Sequence, residues 1–215
     1  MKVVSVNVGL PREVLWKGKK ISTGIFKEPV KCRVAMGTLN LDGDRQADLS
    51  VHGGVDKAVY VYPSEHYIYW KEILPDEGLP WGMFGENLTT AGLLENVVNI
   101  GDRFRVGTAE VVVTQPRMPC YKLGIKFGRD DIIKKFLVSE RSGFYFAVSK
   151  EGDVAAGDEI ELIKHDTNKV TVTDITHLHL TEKHNVDLIL RAIQVEALAE
   201  SWRSYFLHQL EKGKR

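Results

Sequence analysis

Period-two alternation of apolar and polar residues, broken by turn signals roughly every ten positions, runs through residues 1 to 165 of this 215-residue chain. Such alternation buries one face of a strand, and many short strands at this spacing predict an all-β barrel or sandwich. Two stretches make the pattern sharper. Ile100-Gly101-Asp102-Arg103-Phe104-Arg105-Val106-Gly107 and Ala156-Gly157-Asp158-Glu159-Ile160-Glu161-Leu162 are each a Gly-Asp turn followed by strict alternation. Each reads as a half-buried strand entered through a tight turn. Two helices interrupt the β region. One is capped by Ser64 and carries His66, Tyr67, Trp70 and Ile73, with Pro75 past its end. The other is capped by Asp130 or Asp131, carries Ile132, Ile133, Phe136 and Leu137, and stops near Gly143. After Asp166-Thr167-Asn168 the apolar residues recur at helical spacing, so the C-terminal segment reads as a small helical appendage. Its histidines (His177, His179, His184, His208) have no carboxylate or cysteine at metal-ligand spacing and read as surface or core polar residues.

Charge and cysteine content narrow the function. Lys plus Arg and Asp plus Glu both number 29, so no basic footprint for nucleic acid or an anionic membrane exists. The start of the chain alternates like a strand instead of forming a signal peptide's apolar core, and no stretch approaches the roughly 18 apolar residues of a spanning helix. A cytoplasmic location is expected. Two cysteines, Cys32 and Cys120, in dissimilar contexts argue against a disulfide framework and exclude a self-contained four-thiolate iron–sulfur cluster.

Three segments carry candidate chemistry. In Gln115-Pro116-Arg117-Met118-Pro119-Cys120-Tyr121-Lys122-Leu123, Cys120 follows the buried strand signal Val111 to Thr114. Two prolines stiffen its loop, and Arg117 and Lys122 supply charge that favours the thiolate. Such a thiolate suits a soft metal or a covalent intermediate, whereas a buried small hydrophobe is the other reading. In Val51-His52-Gly53-Gly54-Val55-Asp56-Lys57, the glycine pair can form an anion-binding nest, with His52 and Lys57 beside it. A loop turn with a solvated lysine is the alternative there. In Gly82-Met83-Phe84-Gly85-Glu86-Asn87-Leu88, the glycines can shape a loop that aims Asn87 at a ligand, or Asn87 can bond its own turn.

Taken in order, these segments resemble the MOSC family, named for the C-terminal domain of molybdenum cofactor sulfurases, in its YiiM-type form. The resemblance also rests on Gly24-Ile25-Phe26-Lys27-Glu28-Pro29-Val30, Gly43-Asp44 with Gln46-Ala47-Asp48, and Leu198, Ser201 and Trp202 near the C-terminus. It implies a mainly β fold: a closed MOSC barrel with interspersed helices over residues 1–168, then a three-helix appendage over 169–215. It further implies molybdenum cofactor, a molybdopterin with a terminal phosphate, with Cys120 as protein ligand to the metal. Lys27, His52, Gly53, Gly54, Lys57, Asn87, Arg117, Lys122 and Arg141 are the candidate cofactor-binding residues. Where relatives carry an aromatic and then Arg-Val, this chain reads Phe144-Tyr145-Phe146-Ala147-Val148, and Arg141 is the candidate to serve for the missing arginine.

The function implied is an oxidoreductase that reduces N-hydroxylated compounds, such as N-hydroxylated bases, with electrons from a separate reductase. Two other readings stand beside it. One is a carrier that holds the cofactor, or a persulfide on Cys120, without turnover. The other is an interaction module whose helical appendage docks a partner or forms a homodimer.

Overall fold

A computed structural model describes residues 1–48 and 53–212. Among these residues lie β1 (Lys2–Val8), β2 (Arg12–Trp16), β3 (Lys19–Thr23), β4 (Glu28–Val30), β5 (Val34–Met36), β6 (Val59–Pro63) and α1 (Glu65–Ile73). There follow β7 (Leu88–Ala91), β8 (Arg103–Val106), β9 (Ala109–Pro116), α2 (Tyr121–Phe127), α3 (Asp131–Ser139), β10 (Phe144–Lys150), β11 (Gly152–Val154) and β12 (Ile160–Lys164). Three helices end the described chain: α4 (Val172–Leu180), α5 (Val186–Gln194) and α6 (Glu200–Lys212). No described helix is long and apolar enough to cross a membrane.

The protein is thus mainly β with several helices. Eight strands form one sheet in the order β12-β8-β9-β10-β6-β7-β1-β4, and β6 with β7 is its parallel pair. The strands entered through the two Gly-Asp turns, β8 and β12, are antiparallel neighbours. The expected closed barrel is not completed by a ladder among the described residues, and β4 is the reason. It occupies the free edge of β1 from Val6 to Val8. Only the start of β1 reaches the other edge of the sheet, where Lys2 bridges Glu159 and the Val3 and Asp158 backbones bond at 2.9 Å.

Helix ends follow backbone geometry more than side-chain capping. Ser64 and Asp130 occupy the expected N-cap positions, yet neither side chain makes a capping hydrogen bond. The third helix stops at Glu140, which takes φ 56°, before the glycine expected to end it. By contrast, α4 begins with a capping box between Thr171 and Asp174, and Asn185 caps α5 through the Leu188 N–H.

Strand β6, of sequence Val-Tyr-Val-Tyr-Pro, is buried along its length and separates two cores. Val59 and Val61 face an aliphatic core, while Tyr60 and Tyr62 face an aromatic one with Trp70, Phe84, Phe127 and Phe136. Period-two geometry alone accounts for this division. The aliphatic core continues into the C-terminal helices through Ile175, Leu178, Ile189 and Phe206. Burying each such side chain is worth about 1.5–3 kcal/mol, so the helices dock on the sheet by a hydrophobic seam. Two polar contacts fix its register on β9: Ala199 N–H donates to Thr114 O, and Trp202 Nε1–H to Gln115 Oε1 at 3.2 Å.

Candidate functional site

Cys120 lies four residues past the end of β9, as the strand signal before it implies. It occupies the N-cap of α2 with an extended backbone (φ −124°, ψ 173°), and its carbonyl accepts from Leu123 N–H. The cysteine is half-buried on a solvent-open cleft of about 640 Å3.

One wall of the cleft comes from the segment after β3 and the loop at residues 45 to 47. Their backbones meet at Gly24, where a Cβ would lie 2.4 Å from Arg45 O, so only glycine permits the approach. Lys27 is buried in this wall and ion-pairs with Asp44. Burial lowers the Lys27 pKa, and the attraction and hydrogen bond of Asp44 oppose that shift. Asp44 also accepts from Gly9 N–H at 3.0 Å and from Asn87 Nδ2 at 2.9 Å. Asn87 lines the cleft, but its amide is committed elsewhere, because Oδ1 accepts from Tyr60 N–H at 3.0 Å. It therefore braces β6 against the Lys27 wall. Beside it in sequence, buried Glu86 accepts from the Gly82 and Phe84 N–H groups, the Thr89 hydroxyl and the Tyr67 phenol. Burial still raises its pKa.

The other wall contains Arg117, Met118, Cys120 and Lys122, with Tyr60 and Tyr145 beside them. Arg117 is 6 % exposed, and its guanidinium lies 5.3 Å from the Tyr60 ring and 5.0 Å from the Phe136 ring. Among the described residues it forms no ion pair, and its buried Nη1 has no hydrogen-bond partner. Leaving such a nitrogen unmatched costs about 1–3 kcal/mol, more for a charged group, and an anion in the cleft would recover that cost. Tyr145 has a raised pKa because burial outweighs the opposing Arg117 charge, so its phenol stays protonated at neutral pH. Lys57 also reaches the cleft. Half-burial lowers its pKa, with Asp56 opposing.

Six of the sequence candidates therefore share one cleft: Lys27, Lys57, Asn87, Arg117, Cys120 and Lys122. Gly53 and Gly54 are not among the residues that line it. Gly54, at φ 102° and ψ 164°, has a conformation essentially reserved for glycine, not the left-handed one a nest requires. Its carbonyl accepts from Lys57 N–H at 3.0 Å, starting the 3-10 turn (Val55–Lys57) that delivers the lysine. Arg141 also stands apart. Its guanidinium lies 3.8 Å from the Tyr69 ring and donates to Ser139 O, which holds it away from the cleft. His52 falls outside the described residues. Arg45, Tyr60 and Tyr145 line the cleft without having been singled out as site residues. Among the described lining residues are five cations and no Asp or Glu, with one thiol. Chemically, this arrangement can take an anion and offer sulfur to a soft metal.

Comparison with known proteins agrees with this geometry. Residues 48–161 match the MOSC domain, and residues 170–213 match the YiiM-like, 3-alpha helix domain. The chain is 44% identical over 210 residues to the uncharacterized protein YflK of Bacillus subtilis, covering 98% of this chain and 95% of that one. The crystal structure of YiiM from Geobacillus stearothermophilus superposes with a TM-score of 0.83 at 35% identity, covering 97% of this chain and 98% of that one. A protein of Gibberella moniliformis named "Reductase" is 31% identical over 83% of this chain, which spans 32% of that longer protein.

Proposed function

This chain belongs to the MOSC family, in the form that carries a YiiM-like three-helix domain, and from that premise we propose that it is a molybdenum-cofactor-dependent oxidoreductase reducing N-hydroxylated compounds. The observation that carries the reading is the buried, unmatched Nη1 of Arg117 in a cleft whose described lining holds Cys120 and no carboxylate. These residues fit the cofactor. The thiol offers a soft ligand to molybdenum, and the cations can receive the pterin phosphate. The relative named a reductase supports redox chemistry over simple carriage.

When bound, the cofactor supplies two-electron redox chemistry at molybdenum. The net reaction takes R–NH–OH, two electrons and two protons to R–NH2 and water, so the N–O bond breaks and the oxygen leaves as water. In this reading Cys120 holds the metal, and Arg117 and Lys122 offset the negative charge gathered at sulfur and at the departing oxygen. Lys57 and Arg45 hold the pterin phosphate. Lys27 is fixed by Asp44, and Asn87 supports it through the same carboxylate. Tyr145 keeps its phenolic proton and directs a hydrogen bond to the substrate oxygen. In this reading the cofactor-binding unit spans residues 1–168, and the described helices from Val172 to Lys212 brace it. The electrons come from a separate flavin or iron–sulfur reductase in a reducing cytoplasm.

The decisive experiment measures molybdenum and pterin in protein produced by cells able to make the cofactor, beside Cys120→Ala. Near-stoichiometric molybdenum in the parent and less than a tenth of it in the variant is the expected result, followed by turnover of an N-hydroxylated base with a reductant. Equal or absent molybdenum in both folded proteins overturns thiolate ligation. Bound molybdenum without turnover favours a carrier.

A further inference from the structure

Gln115 belongs to the segment that carries Cys120, yet the scheme above gives it no task. It is buried and bridges two elements far apart in sequence. Its Oε1 accepts from Trp202 Nε1–H of α6 at 3.2 Å, and its Nε2 donates to the Asp56 carbonyl, also at 3.2 Å. These partners fix the orientation of the amide, because an indole N–H only donates and a carbonyl only accepts. An ionised carboxylate has no donor for the second contact. Trp202 is itself held by rings from two helices, with His179 of α4 at 5.2 Å and Phe206 of α6 at 5.7 Å between centroids. The Thr114 hydroxyl donates to the same Asp56 carbonyl at 2.7 Å. Ala199 N–H, just before α6, donates in turn to the Thr114 carbonyl.

The Asp56 carbonyl is one end of the peptide unit whose other end is the Lys57 N–H. A peptide unit is planar and rigid, so holding both ends fixes the Lys57 Cα, the point from which its side chain departs. Gln115 and Thr114 hold the oxygen, and the N–H donates to Gly54 O at 3.0 Å. The turn that carries the lysine, Val55–Lys57, has no buried residue, so apolar packing does not seat it. Polar contacts from β9 do. Lys57 lines the cleft that Arg117 and Cys120 share. We propose that Gln115 is the positioning residue for Lys57, and that Trp202 makes the C-terminal helices part of the anion site as well as a brace for the sheet. This rests on the reading in which Lys57 holds the pterin phosphate, and it names the residues that aim the lysine. With Gln115 in place the turn is ordered before the phosphate arrives. Without it the ligand must order the turn, and affinity falls by that cost.

A double-variant cycle on the full chain, produced in cells able to make the cofactor, tests this through the pterin retained per folded molecule after a fixed wash. Gln115→Met keeps the side-chain length and loses both polar contacts, while Lys57→Met removes the ammonium. Gln115→Met should lower retained pterin about fivefold, the effect of about one hydrogen bond, and Lys57→Met at least as much. Because Gln115 acts through Lys57, adding Gln115→Met to Lys57→Met should cause no further loss. Trp202→Phe should give a smaller loss that also vanishes in the Lys57→Met background. Undiminished pterin in Gln115→Met overturns the proposal. So do losses that multiply in the double variant, which is what general destabilisation would produce. A second measurement needs no cofactor: NMR of isotope-labelled dimethyl groups on the lysines, with the Lys57 signal assigned by its disappearance in Lys57→Met. Half-burial lowers the Lys57 pKa, and in Gln115→Met its titration should move toward that of an ordinary lysine. If the parent retains no pterin, the reductase reading fails and this titration decides alone. An unaltered Lys57 midpoint in Gln115→Met then overturns the positioning role.

Discussion

Lys27 and Arg117 are both buried cations on the walls of one cleft, yet the protein surrounds them differently. Lys27 is paired with Asp44, whose carboxylate also holds Gly9 and Asn87. Arg117 is held by aromatic faces, and no described carboxylate pairs with it. Lys27 is neutralised from within the protein and acts as framework. The Arg117 wall is left electropositive beside a thiol, an arrangement satisfied by a ligand. A buried cation in a cleft is thus informative through its counter-ion more than through its own identity.

The largest expected effect that can break this comparison is at the neutralised cation. Asp44→Asn keeps the shape but strands the Lys27 ammonium, and should lower unfolding stability by about 3 kcal/mol in urea denaturation. Adding Lys27→Met should recover most of the loss. An Asp44→Asn protein as stable as the parent would remove the distinction between the walls. A smaller change in stability is expected at Arg117. Arg117→Met strands no carboxylate, so stability should stay within about 1 kcal/mol of the parent. Retained pterin, measured after extraction, should nevertheless fall about tenfold. Loss of stability comparable to Asp44→Asn would show that Arg117 is framework as well.

The smallest effect concerns the pH profile and sharpens the framework side. Glu86 has a folded pKa raised above its ordinary 4.5, chiefly by burial. Its contribution is therefore fully present below pH 4.5 and is lost as pH rises through the folded value. Glu86→Gln stays neutral at every pH, so its denaturation midpoint should change less with pH across that window. A variant with the parent's slope would assign the pH dependence to other groups.

Most of the electropositive wall was legible because its residues sit in short, irregular segments where Pro, Cys, Arg and Lys stand out. Tyr60 and Tyr145 were hidden by their strands. On β6 and β10, period-two alternation does not distinguish a ring packed in a core from one that also borders a cleft. The short helix α2 escaped because Gly124 weakens its helical signal and its length is only about two turns. The strands at the Gly-Asp turns were correctly placed, whereas sheet closure was not. Alternation specifies which face of β1 is buried but not that β4 would occupy its edge. Arg141 illustrates the remaining difficulty, since its nearness in sequence to β10 says nothing of the Tyr69 ring that captures it.

The bond from Trp202 to Gln115 joins residues 87 positions apart, and Gln115 is five residues before the metal-ligand candidate. During synthesis, β9 leaves the ribosome long before α6 can dock against it. The strand that aims Cys120 therefore lacks this support until α6 is available. If cofactor capture requires that support, loading waits until α6 has emerged, and that helix acts as its timekeeper.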